Sequence, residues 1–203
     1  MQKISPPKDL FPYVIEFTKF VSPNNNPFFI EITTNFGSVI KECVKNVENY
    51  IKLHRGEKVF GWKIWEWYGI MIEAEFHTVW RSPSGELQDI TPEDQPFKRV
   101  LFLQDTTLEY KEEQVDNIRK PLNDSPDVEE YIKAHQSLFE FMNRGDRKSQ
   151  HGEIDLTNEE MTEWSEVQRN ILKLEMKITD SVPKRNDLCR CGSGIKSKKC
   201  CFP

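Results

Sequence analysis

Four cysteines, Cys189, Cys191, Cys200 and Cys201, stand in the last fifteen residues of the chain in the order C-x-C-x8-C-C. A segment this short cannot bury a core, so it takes a fixed shape only if something ties its thiols together. Adjacent cysteines rarely bridge one another, which argues against disulfides. Four thiolates in a small loop suit tetrahedral zinc, which would supply the folding energy that the segment lacks. Gly192, Ser193 and Gly194 let the backbone turn back between the two pairs. The expected ligands of one zinc ion are Cys189, Cys191, Cys200 and Cys201.

The other cysteine, Cys43, lies far upstream. No run approaches the ~20 apolar residues that span a bilayer, and Met1 to Leu10 does not read as a signal peptide. The expectation is a cytosolic chain with reduced thiols, which again favours metal over a disulfide framework. With 203 residues, 37% hydrophobic, 13 Phe and 5 Trp, a sizeable core is within reach. Charge is uneven. The net charge is -5, yet Lys184, Arg185, Arg190, Lys196, Lys198 and Lys199 face only Asp187 at the C-terminal end. A basic tail on an acidic body suggests an anionic partner.

Along the chain, Lys8–Val21 reads as an amphipathic helix and Phe28–Thr33 as a strand. Ile40, Val44, Val47 and Ile51 predict a helix from Ser38 to His54, stopped by Gly56. From Val59 to Leu103 the chain is aromatic and β-branched. It alternates with period two from Ile70 to Trp80, turns at Arg81–Gly85, returns over Leu87–Ile90, and adds a strand at Arg99–Leu103. Beyond Asp105 helices are predicted. One opens at Ser125-Pro126, with Ser125 as its cap, and stops at Gly145. Another opens at a Thr157–Glu160 capping box and carries Met161, Trp164, Val167, Ile171, Leu174 and Ile178. The fold class is therefore α+β: an antiparallel sheet of three to five strands with flanking helices over residues 1–183, then a zinc module over 184–203.

The run from Arg185 to Cys201 closely resembles the SEC-C motif, named for the C-terminus of the bacterial SecA translocation motor. The resemblance implies a zinc-binding, often partner-binding module of bacterial or phage origin. It covers about a tenth of the chain. Lys196, Lys198 and Lys199 would project as exposed charges toward an acidic protein, such as a chaperone, or ribosomal RNA.

A second constellation lies in the body. Pairing Trp80 with Glu86 across the turn would set His77 opposite Asp89, within reach of a carboxylate–imidazole contact. Cys43 on the helix over that strand would then complete a nucleophile, base and orienter. The order Cys, His, Asp, with Phe76-His77-Thr78-Val79-Trp80 and Asp89-Ile90-Thr91-Pro92, resembles papain-like and transglutaminase-like thiol enzymes. The resemblance implies Cys43 as nucleophile, His77 as general base and Asp89 as its orienter in a thiol hydrolase or acyltransferase. In those folds the nucleophile opens a helix; a helix from Ser38 would put Cys43 more than one turn inside, with Asn35 the nearest oxyanion donor. The other reading makes Cys43 a small core residue and the protein a non-enzymatic adaptor. Glu73 and Glu75, on the His77 face, read as a solvated face or, alternatively, a carboxylate pair; the tryptophans read as sheet core or, alternatively, a base-stacking cluster; the last helix reads as packing on the sheet or, alternatively, on another chain. His151 has no evident partner.

Overall fold

The computed structural model describes residues 4–33, 37–150, 154–181, 186–189 and 194–200. They are α+β, and the chain divides into two compact units: residues 1–66 with 73–109, and residues 67–72 with 110–203. Among the described residues, no helix is long and apolar enough to cross a membrane.

The first unit carries helix α1 (Pro12–Val21), strand β1 (Phe28–Glu31), helix α2 (Cys43–His54) and most of a long hairpin, β2 (Glu57–Trp67) and β3 (Met71–Arg81). It continues through the two-residue β4 (Leu87–Gln88) and β5 (Arg99–Gln104). The strands lie in the order β1-β5-β2-β3-β4, and a sixth strand, β6 (Ile118–Pro121), pairs with β3. β1 and β2 both run antiparallel to β5. A single parallel bridge between Ile32 and Asp89 returns the path to β1, closing the sheet into a small barrel-like ring. The sheet is antiparallel, as expected, with six strands.

Strand alternation sorts the side chains. Val59, Trp65, Val79, Ile30, Val100 and Phe102 form one core cluster. On the opposite face of β3, Trp80 and Ile90 receive Val47 of α2, with Tyr50 edge-on to the Trp80 ring at 5.0 Å. Trp62, Trp65, Trp67 and Trp80 are all buried, as sheet-core residues should be. Gly56 follows α2 at φ 93°, and a Cβ there would sit 2.3 Å from the Arg81 carbonyl oxygen. Only glycine permits that approach.

In the second unit α3 (Pro126–Met142) packs against α4 (Asn158–Ser181). Ile171, Leu174 and Ile178 of α4 are buried, and that helix finds a partner in α3. The Thr157–Glu160 capping box forms: each residue's backbone N–H donates to the other's side chain, at 3.0 and 3.2 Å. Pro126 opens α3, but Ser125 makes no side-chain cap bond. The helical reading beyond Asp105 missed β6, whose four residues IRKP carry no alternation.

Candidate active site and zinc knuckle

The site is built where β4 ends. Ser82 donates its N–H to the Glu86 carbonyl at 2.8 Å and accepts from Gly85 N–H at 2.9 Å, with Gly85 at φ 93°. The turn sits one residue further along the chain than the sequence pairing assumed, which moves the register by two residues. Trp80 therefore pairs with Gln88 and Arg81 with Leu87, and His77 is diagonal to Asp89 rather than opposite it. A shift of two residues keeps every side chain on its face, so the two still meet: His77 Nε2 lies 2.9 Å from Asp89 Oδ2. The contact is a bent ion pair rather than a straight hydrogen bond.

Asp89 is fixed from its backbone outward. Its N–H donates to the Glu31 carbonyl at 3.2 Å, its carbonyl accepts from Thr33 N–H at 2.8 Å, and Oδ1 accepts from Thr91 N–H at 3.0 Å. The bridge that closes the barrel thus also holds the carboxylate against the imidazole.

Helix α2 begins at Cys43, not at Ser38. The cause is local. Lys41 adopts φ 65°, which interrupts helical geometry, and Asn46 clamps the preceding segment. The Asn46 side chain accepts from Val39 N–H at 2.9 Å and donates to the Val39 carbonyl at 2.7 Å and to Thr91 Oγ1 at 3.2 Å. Asn46 and Thr91 thereby tie the start of the cysteine helix to the segment bearing Asp89. Cys43 occupies the first helical position, where the N–H groups lack intrahelical acceptors and the dipole is positive. Asn35 lies outside the described residues.

The electrostatics follow. Burial pushes the Cys43 thiol up. The His77 charge, a hydrogen bond with the His77 ring, the Thr78 backbone N–H and Lys63 together outweigh it, leaving the thiol below its ordinary value. Burial alone would depress His77, but Asp89 and the developing thiolate carry it up to about 10. Burial raises Asp89 too, and the His77 and Lys63 charges reverse this. The Cys43 thiol is thus biased toward its thiolate, beside an imidazole whose positive form the Asp89 carboxylate supports.

Three charges that were not read as part of the site join it. Lys63, buried in the middle of β2, is ion-paired with Glu93, and its Nζ lies 3.5 Å from Glu75 Oε2. Glu75 also accepts from Trp65 Nε1 at 2.6 Å. It is therefore a half-buried, ion-paired member of this network rather than a fully solvated charge. The signal was present: Lys63 sits two residues before Trp65, in register with the core face, where an unpaired charge is too costly to survive.

Because Asp89 is held below the usual carboxylate range, its stabilising contribution is complete above its unfolded value near ~3.9 and is lost as pH falls through the depressed folded value. Asp89→Asn should lower the urea midpoint at pH 6 and make the loss of stability below pH 4 shallower. Parallel curves for the two proteins would show that the carboxylate is not ion-paired.

The C-terminal segment is a small knuckle. Leu188 bridges Lys196, and Cys189 N–H donates to the Ile195 carbonyl at 2.7 Å. Gly194 takes φ 70°. Ser197 N–H returns to the Asp187 carbonyl at 2.8 Å, and Ser197–Lys199 form a 3-10 turn leading into Cys200. Cys189 is buried, its sulfur 3.3 Å from the Tyr68 hydroxyl, while Lys196, Lys198 and Lys199 are exposed. Cys191, Cys201 and His151 lie outside the described residues. Among the described residues no three His, Cys, Asp or Glu side chains form a metal cluster. The two described thiols, Cys189 and Cys200, lie on chain segments tied together by the Ser197–Asp187 bond.

Residues 185–203 match the family model of the SEC-C motif, a motif of zinc-binding type. The chain carries this motif at its C-terminal end, over residues that include all four clustered cysteines. Comparison with curated proteins and with solved structures finds no match.

Proposed function

We propose that the body of this protein is a thiol acyl-transfer enzyme, a hydrolase or acyltransferase, joined to a zinc-binding SEC-C module. One observation carries the reading. Cys43 opens a helix, its thiol is lowered by the charge of His77, and the Nε2 of that ring lies 2.9 Å from a buried aspartate. With Nε2 turned to Asp89, Nδ1 is the nitrogen left to serve the thiol.

The Cys43 thiolate attacks the carbonyl carbon of an acyl donor, and the first-turn N–H groups of α2 face the developing oxyanion. As the bond to the leaving group breaks, His77 gives that group its proton, and a thioester remains on Cys43. Neutral His77 then takes a proton from water or from an acceptor hydroxyl or amine, whose oxygen or nitrogen attacks the thioester and frees Cys43. Asp89 keeps the ring oriented and supports its positive state throughout.

In the C-terminal module Cys189, Cys191, Cys200 and Cys201 would hold one zinc ion, whose contribution is structural. Exposed Leu188 and Ile195 beside Lys196, Lys198 and Lys199 also favour a second reading. In it the knuckle docks an acidic protein, or ribosomal RNA, by salt-sensitive contacts, and the body is a binding adaptor.

Iodoacetamide labelling of the native protein separates the two. In the enzyme, Cys43 alkylates well below pH 8, because the thiolate is the reactive species. A Cys43 that stays unlabelled until pH 9 returns it to the core and leaves the adaptor.

A further inference from the structure

The charges around the thiol do not stop at His77 and Asp89. Lys63 comes from β2, Glu75 and His77 from β3, Asp89 from the end of β4, Glu93 from the segment before β5, and Cys43 from α2. The neighbour of Lys63 on β5 is the apolar Phe102. Among the described residues, then, one buried lysine lies against two carboxylates, Glu75 and Glu93, and its charge is felt by Asp89, His77 and Cys43. Its Nζ is ion-paired with Glu93, is 3.5 Å from Glu75, and lies 5.0 Å from the centre of the Trp65 ring. With side-chain exposure of 4%, the ammonium has given up nearly all its water. A buried lysine is expensive unless neighbours repay the lost hydration. Here two of them are carboxylates that touch no substrate in the mechanism above.

We infer that Lys63 is a positioning residue of the thiol site: held between Glu75 and Glu93, it offsets their negative charge so that Cys43 can ionise beside His77. The inference rests on the thiol-enzyme reading of Cys43, His77 and Asp89. Without Lys63, Glu75, Glu93 and Asp89 would present three negative charges to a thiol that must itself become negative, with the imidazolium alone opposing them. In a site of low effective dielectric that imbalance disfavours the thiolate and tightens the proton on His77. The direction agrees with the Lys63 charge lowering the Cys43 thiol, and with Lys63 itself staying protonated, since Glu75, Asp89 and Glu93 outweigh its burial.

The test is the pH profile of Cys43 alkylation by iodoacetamide in the full chain. Lys63→Met should move the midpoint of the labelling rate upward by about one pH unit, roughly a tenfold loss of thiolate at pH below the midpoint. Lys63→Arg, which keeps the charge, should remain within a few tenths of a unit of wild type. Adding Glu93→Gln to Lys63→Met should recover much of the shift. Glu93→Gln alone should move the midpoint down, and it serves if Lys63→Met does not fold. A lysine with only a packing role would change the labelling amplitude or the stability and leave every midpoint in place. Wild type labelled below pH 8 with all four midpoints unchanged overturns the role of Lys63 alone. Wild type unlabelled below pH 8 overturns the thiol-enzyme reading beneath it.

Discussion

His77→Ala should slow alkylation of Cys43 at pH 6 by about 100-fold, with the difference closing as pH approaches 10. In the native site the imidazolium beside the thiol holds it below its ordinary value against the effect of burial. Without the ring, burial and the Asp89 carboxylate both oppose ionisation, and the thiol should titrate at or above ~8.5, leaving well under ~1% thiolate at pH 6. At pH 10 both proteins are mostly thiolate, so a pure ionisation effect disappears. Asp89→Asn should fall between the two, because the ring stays in place but its positive state loses its partner. Equal rates for His77→Ala and wild type at pH 6 would mean that the histidine does not activate the cysteine.

The second large effect is on the knuckle. Reduced, untagged protein should hold about one zinc per chain at ~2.3 Å from four sulfurs, and Cys200→Ser should lose it. The described knuckle is held by a bridge, a few main-chain bonds and one 3-10 turn. A bound zinc would supply on the order of 10–16 kcal/mol that so small a segment cannot find elsewhere. Elemental analysis gives the stoichiometry. Amide exchange should show loss of protection from Leu188 to Cys200, with α3 and α4 unchanged. A reduced preparation without zinc would remove the metal from this picture.

Much of the fold could be read from residue patterns. The alternation from Ile70 to Trp80 marked β3, and the three-and-four spacing in α4 marked a helix with one buried stripe. The same spacing could not name the partner, which is α3, because periodicity identifies a face and not what covers it. The site was half legible. Residue types brought Cys43, His77 and Asp89 together, and parity preserved that grouping when the register of the hairpin proved to be shifted by two residues. The start of α2 was hidden, since Val39 and Ile40 continue the apolar rhythm. What ends that rhythm is the backbone at Lys41 and a clamp from Asn46, a residue that reads as an ordinary polar helix position. Lys63 and Glu93 are thirty residues apart, and only the folded ring makes them neighbours.

The Ile32–Asp89 bridge has a consequence for the timing of reactivity. The backbone contact that closes the barrel also carries the carboxylate to His77, so the two events cannot be separated in time. It is a contact between distant parts of the chain, of the kind whose loop-closure cost delays it during folding. Until it forms, Cys43 is an ordinary thiol: protonated, without an oriented imidazole, and poorly nucleophilic. If the thiol reading holds, a nascent or partly unfolded molecule would thereby be protected from its own chemistry. Ring closure would act as a safety catch, released only in a chain that has finished folding.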